Sequence, residues 1–183
     1  MVTRAIPSRD ELFAILDRVK DPEVPAVSVV ELGIVRDVAV TEAGVEVTIT
    51  PTYSGCPAMR EIESDIRDAL AEHGLGPVEI SVVYSPAWTT DWIGPAAKEK
   101  LEAYGIAPPG RVERDELVSI DRRARPVRCP FCKSGDTERK SEFGSTACKS
   151  IWFCRSCRQP FEEFKAICSD RCGDLSGVLL TVC

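Results

Sequence analysis

IVRDVAVTEAGVEVTIT, residues 34–50, decides the fold class. In its second half Val45, Val47 and Ile49 alternate with polar residues, the period of a half-buried strand. IVRDVAV is a second strand-like run, and TEAG lies between the two. Gly44 can supply the positive φ of a hairpin turn, so the stretch predicts two antiparallel strands. Upstream, Ser8 is followed three residues later by Glu11, the capping-box spacing. Leu12, Ile15, Leu16 and Val19 then recur at helical intervals. That first helix stops before DPEVPA (21–26), where Pro22 and Pro25 remove donors and push their predecessors toward extended shapes. Downstream, PTYSG (51–55) is a loop leading to Cys56 and Pro57. Met59, Ile62, Ile66, Ala69 and Leu70 mark a second helix ending near His73 and Gly74. VEISVVY (78–84) reads as a third strand, SPAWTTDWIGP (85–95) as a loop, and AAKEKLEAYGI (96–106) as a closing helix. The fold class is therefore α+β: a small helix-strand-strand-helix-strand-helix domain, with a different module after it.

Composition agrees with two parts. The chain has 183 residues, enough for one ordinary domain and a small module. At 44% hydrophobic and 28% charged it reads as soluble and globular. No apolar run reaches the roughly 18 residues of a membrane span. MVTRAIPSRDELF has no apolar core, so no signal peptide is expected and the chain should stay in the cytoplasm. Nine cysteines in that compartment point to metal or thiol chemistry rather than disulfides. Residues 1–109 carry 9 basic and 18 acidic side chains, and residues 110–183 carry 14 and 11. A net charge of about +3 in the second part is too small to argue for nucleic acid. The expected division is an α+β domain over 1–109, a linker over 110–128, a cysteine module over 129–167 and a tail over 168–183. Within the linker, Leu117, Val118 and Ile120 can form a strand of the next module.

CPFC (129–132) and CRSC (154–157) each place two thiols two residues apart, with twenty-one residues between Cys132 and Cys154. That spacing is close to the two-knuckle zinc pattern. Four thiolates from Cys129, Cys132, Cys154 and Cys157 suit a tetrahedral, closed, structural zinc, which would fold a module too small to hold itself by apolar burial. The same sulfurs can hold an iron–sulfur cluster. Phe143, Ile151 and Phe153 are expected to pack beneath the metal, in strands of a zinc-ribbon-like β module. Cys148 can replace one ligand or point into the core, and Cys168, Cys172 and Cys183 read as free thiols.

Cys56 stands far from every other cysteine. Pro57 fits the first position of the second helix, which would put Cys56 at its N-cap, where unpaired N–H groups favour a thiolate. A thiol nucleophile would need a base, and the single histidine, His73, falls at the far end of the same helix. The plain alternative is a small buried side chain, with Asp21 capping a turn. A nucleic-acid-binding ribbon is a further alternative, but acids interleave with the bases of RDELVSIDRRARPVR (114–128), so no nucleic acid is expected. Trp88 and Trp92 suit either a recognition surface or the core. There is no Walker P-loop, G-x-G-x-x-G, H-E-x-x-H or G-x-S-x-G pattern, which fits an accessory protein better than a catalyst.

DPEVPAVSVVELGIVRDV (21–38) followed by TYSGCP (52–57) resembles the SufT-like iron–sulfur-assembly domain family. AWTTDWIGPAAKEKLEAYGIAPP, then CPFC, FGSTACK and CRSCRQPFEEFK, is similar to the D-component family (PaaD/PaaJ) of the bacterial phenylacetate-degradation system. The resemblance spans roughly residues 8–167. It implies an accessory or maturation protein of phenylacetyl-CoA epoxidase, a multicomponent di-iron oxygenase of aromatic catabolism with a separate iron–sulfur flavoprotein reductase. It implies no catalytic role in the oxygenase itself, and partners among the epoxidase subunits or the reductase, with homo-oligomers possible. It places Asp21, Glu23 and Cys56 at the assembly domain's motif positions, where Cys56 would be a transient iron or Fe-S ligand and Asp21 or Glu23 an oxygen ligand.

Overall fold

The computed structural model describes residues 6–110 and 127–167. The chain divides into two units. The first runs to Trp88 and takes in Trp92–Gly94; the second comprises Thr89–Asp91 and the chain from Pro95. The expected linker strand around Leu117 and the tail cysteines lie outside the described residues.

In the first unit, α1 (Arg9–Leu16) begins with a full capping box. The Ser8 hydroxyl accepts the Glu11 N–H at 3.3 Å, and the Glu11 carboxylate accepts the Ser8 N–H at 2.7 Å. Leu12 and Leu16 point inward. β1 (Val35–Thr41) and β2 (Gly44–Ile49) form the expected antiparallel hairpin, with a bulge between Val35 and Asp37. Val45, Val47 and Ile49 are buried, as the alternation required. α2 (Met59–Glu72) buries Ile62, Ile66 and Leu70, spaced four apart on one stripe. Burying each such side chain contributes about 1.5–3 kcal/mol. β3 (Val78–Val82) then runs parallel to β2, a pairing that needs a crossover such as α2 supplies. The strand order is β1-β2-β3.

Gly44 has φ +142°, and a Cβ there would collide with the carbonyl oxygen of Pro77, which accepts the Val45 N–H at 2.8 Å. The glycine thus lets the start of β2 approach the residue before β3. Gly44→Ala is expected to destabilise the first unit by about 3 kcal/mol, from the strained φ and the clash together. An unchanged urea midpoint in that variant would contradict this close approach.

The second unit holds α3 (Pro95–Tyr104), β4 (Ile106–Ala107), β5 (Thr137–Ser141), β6 (Lys149–Cys154) and β7 (Pro160–Phe164). Its sheet has the order β4-β7-β6-β5, with β4 parallel to β7 and the other pairs antiparallel. Here the expected division needs correction. The closing helix was expected to complete the first domain, but it belongs to the second unit. The reason is β4, a two-residue strand too short to show in a pattern, which joins the sheet beside β7 directly after α3. Thr89–Asp91 join that unit as well: the Ile167 carbonyl accepts the Thr90 N–H at 3.1 Å and the Thr89 hydroxyl at 2.8 Å.

The core of the cysteine module is Ala107, Cys129, Trp152, Cys154 and Phe161. Phe143 is exposed, and Ile151 and Phe153 are only half-buried, so the expected packing trio is incorrect. Cys154 is wholly buried and fixes the parity of β6. Trp152, two residues before it, shares its face, whereas Ile151 and Phe153 take the other. Trp88 resolves to the core of the first unit, where its indole N–H donates to the Leu32 carbonyl at 2.9 Å. Trp92 is half-buried, with the Arg36 guanidinium 3.5 Å from its ring centroid.

Candidate functional site

The two C-x-x-C turns have the same construction. In the first, the Lys133 N–H bonds to the Cys129 carbonyl at 2.9 Å, and the Cys129 N–H bonds to the Ser134 carbonyl at 2.9 Å. In the second, the Cys154 N–H bonds to the Gln159 carbonyl at 3.0 Å, again five residues on. The residue following the second cysteine is left-handed in both: Lys133 at φ +62° and Arg158 at φ +59°. A matched pair of turns that bend the same way aims two sulfurs each toward one point.

All four sulfurs lie within 4.8 Å of one another. Cys129 and Cys157 are 3.7 Å apart, and Cys132 and Cys154 are 3.5 Å apart. Metal–sulfur bonds of about 2.3 Å in a tetrahedron require S···S edges of about 3.8 Å, so the set fits one metal ion. These distances are far beyond a disulfide bond, and all four are free thiols. Without a cation the four cannot all ionise. Backbone N–H donation from Cys157 lowers the Cys154 thiol to about 7, while burial pushes Cys157 up to about 12. A divalent ion removes that conflict by stabilising every thiolate. Cys148 is not in the set; it is buried, 3.0 Å from the Thr146 hydroxyl.

The Cys56 region is built differently. α2 starts at Met59 with Ala58 as its N-cap, so Cys56 lies two residues before the cap rather than on it. Pro57 and Ala58 form a turn first, closed by the Met59 N–H on the Cys56 carbonyl at 3.4 Å. A second turn precedes it, closed by the Cys56 N–H on the Tyr53 carbonyl at 3.3 Å, with Gly55 at φ +87°. The thiol is half-buried. Burial raises its pKa, and the charges of Glu23 and Asp21 raise it further; hydrogen bonds from the Ala58 N–H and from Tyr53 only partly offset this. The expectation that a helix start would favour the thiolate is therefore reversed, because desolvation and two carboxylates outweigh the hydrogen bonds from the Ala58 N–H and Tyr53.

Asp21 is buried, and its Oδ1 accepts the Glu23 N–H at 2.9 Å and the Val24 N–H at 2.8 Å. It organises the DPEV turn, as the plain structural reading of Asp21 had it. The fold brings Asp21 and Glu23 into electrostatic range of Cys56. It does not bring the three as close together as the four sulfurs: among the described residues the thiol quartet is the one group of three or more such side chains whose ligand atoms lie close enough to hold an ion. Tyr53 is the neighbour that spacing and periodicity did not single out. His73 caps the far end of α2, with Nδ1 2.9 Å from the Ala69 carbonyl. Fourteen helical residues, about 20 Å, separate it from the Cys56 end. Cys56 has no histidine base.

The two halves match two known families. Residues 9–82 match the iron–sulfur cluster assembly protein family, and residues 113–165 match the PaaD zinc beta ribbon domain. The class is thus an assembly-type α+β domain joined to a four-cysteine ribbon. Over 167 residues the chain is 44% identical to an Escherichia coli (strain K12) protein provisionally named as the D component of 1,2-phenylacetyl-CoA epoxidase, covering 91% of this chain and 98% of that one. The chain belongs to the PaaD-like family, the D components of phenylacetyl-CoA epoxidase. Its first half alone is similar to smaller proteins. It is 35% identical over 95 residues to the Fe-S protein maturation auxiliary factor YitW of Bacillus subtilis (strain 168), covering 51% of this chain and 92% of that protein. It is 38% identical over 83 residues to the maturation factor SufT of Staphylococcus aureus (strain USA300), covering 44% and 93%. Among the described residues no helix is long and apolar enough to cross a membrane.

Proposed function

We propose that this protein is a non-catalytic accessory component that matures the metal centres of a multicomponent di-iron phenylacetyl-CoA epoxidase or of its iron–sulfur reductase. The observation that carries this reading is the combination in one chain of an assembly-type domain with a PaaD ribbon. The near-full-length likeness to a D-component protein supports a place in the epoxidase complex, with its other subunits as partners.

In this reading the two sites divide the work. Cys129, Cys132, Cys154 and Cys157 hold one zinc, whose chemistry is structural: it neutralises four thiolates and closes the ribbon. The S···S edges favour a single ion over a multi-iron cluster, in which sulfide and further metals would spread the cysteine sulfurs apart. Iron is cargo, and Cys56 meets it transiently. A thiol kept protonated by burial and by two nearby carboxylates binds nothing strongly while idle. An incoming cation reverses that balance, because the carboxylates that disfavour the thiolate attract the metal. Cys56 then serves as one ligand, Asp21 or Glu23 can add an oxygen, and the client supplies the rest. A loose site suits delivery better than storage.

The thiol-enzyme alternative lacks a base, and the basic segment of the nucleic-acid alternative falls mostly outside the described residues. The test is a strain that lacks this chain but makes the other epoxidase subunits. It is expected to lose most phenylacetyl-CoA oxidation and to regain it when the chain is restored. Full activity without the chain would sink the reading.

A further inference from the structure

We propose that Tyr53 is a positioning residue for Cys56: its hydroxyl donates to the Cys56 sulfur and holds that sulfur in the direction in which it meets iron. The inference rests on the reading of Cys56 as a transient iron ligand and adds a residue to that site.

The loop brings the two side chains together. The Cys56 N–H closes a four-residue turn on the Tyr53 carbonyl at 3.3 Å. Gly55, at φ +87°, stands at the third position of that turn, where a type II turn demands a left-handed residue. A Cβ on Gly55 would meet nothing within 4 Å, so the glycine is needed for its φ and not for space. Closing such a turn sets its first and last residues within about 7 Å of each other, and these are Tyr53 and Cys56. Both are half-buried, while Ser54, Gly55 and Pro57 beside them are exposed. The main chain of Cys56 is held on both sides, by its N–H in this turn and by its carbonyl, which accepts the Met59 N–H at 3.4 Å. What the main chain leaves open is rotation about Cα–Cβ, the torsion that aims the sulfur.

Side-chain chemistry closes that freedom. The sulfur has hydrogen bonds with the Ala58 N–H and with Tyr53, and the carboxylates of Asp21 and Glu23 lie in electrostatic range. Ionised carboxylates only accept, so they cannot hold a thiolate in place. Among these four groups Tyr53 is the side-chain donor. Its hydrogen bond to an idle thiol is weak. A charged acceptor roughly doubles the strength of such a bond. The contact therefore tightens when the thiol proton passes to solvent and the metal takes its place. A packing contact would be indifferent to that step. A donor behind a ligand is not, since it sets both the ligand's orientation and its electron density.

The test is anaerobic titration of the zinc-loaded full chain with Co2+. Zinc outranks cobalt at a four-thiolate site, so the added ion reports on other thiols. The thiolate-to-cobalt charge-transfer band that disappears in Cys56→Ser is the signal of the Cys56 site. Tyr53→Phe keeps the ring and removes the hydroxyl, and an unchanged thermal midpoint checks that the fold is intact. It is expected to weaken cobalt binding at Cys56 on the order of tenfold. It is also expected to move the band to longer wavelength, because a sulfur without its donor gives up electrons more easily. A band that stays in place would overturn the proposal even if affinity fell, since lost packing weakens binding without changing the sulfur's electrons; the reading of Cys56 as a ligand would survive that result. A wild-type chain with no Cys56-dependent band would overturn both.

Discussion

Replacing Cys154 with serine is expected to release the metal and melt the sheet of the second unit. Cys154 is wholly buried, belongs to the core with Trp152 and Phe161, and contributes one of four converging sulfurs. Metal binding in such modules contributes about 10–16 kcal/mol of folding free energy, so one ligand of four carries about 3 kcal/mol, or roughly a hundredfold in affinity. The loss compounds locally, because two of the five residues in the core beside the site are its own cysteines. Metal analysis should fall from one ion per chain to near none. Near-ultraviolet circular dichroism from the buried Trp152 should collapse. The first unit should stay folded, since relatives such as YitW and SufT consist of little more than that unit. A Cys154→Ser protein with one tightly held ion and an intact Trp152 signal would show that the thiols do not form the structural site.

Replacing Cys56 with serine is expected to do the opposite. Little in the fold rests on that sulfur: it is half-buried, lies outside α2 and is not among the buried core residues, and a serine oxygen can keep the hydrogen bonds from the Ala58 N–H and Tyr53. Stability should change by less than about 1 kcal/mol, the range of substitutions away from packed features. The ribbon metal should remain at one per chain. In cells, phenylacetyl-CoA oxidation should nevertheless fall at least about tenfold, because serine keeps the size and loses the soft ligand that iron and its clusters use. Stability and activity thus separate cleanly between the two variants. Full activity with Cys56→Ser would leave the thiol as a bystander and move any iron handling elsewhere in the chain.

Local pattern carried most of the first unit. The capping box at Ser8 and Glu11, the alternation of Val45, Val47 and Ile49, and the four-residue spacing of Ile62, Ile66 and Leu70 each point to one structure through nearest neighbours alone. The four-cysteine set was legible for the same reason, since each turn is local and only their meeting is not. What pattern could not show was long-range. β4 is two residues long, and only its partner β7, more than fifty residues on, makes it a strand. Without β4, the helix before it looked like the end of the first domain. The ribbon core was readable in principle: fixing Cys154 inward fixes Trp152 inward as well, and apolar character alone pointed to the wrong residues of β6. At Cys56 the sequence located the thiol but not its electrostatics. Its pKa direction depends on Glu23 and Asp21, more than thirty positions away, and on a turn at Pro57 and Ala58 that delays the helix.

The central claim is that this chain serves the epoxidase by supplying metal rather than by chemistry on the substrate. The most direct measurement is the iron content of the epoxidase oxygenase and reductase components, each isolated from cells carrying wild-type chain or the Cys56→Ser variant. The account predicts that at least one component is iron-poor in the Cys56→Ser cells and iron-replete with wild type, at equal protein yield. Equal iron in both components from both strains, with oxidation still impaired, would contradict it and assign Cys56 a role in turnover.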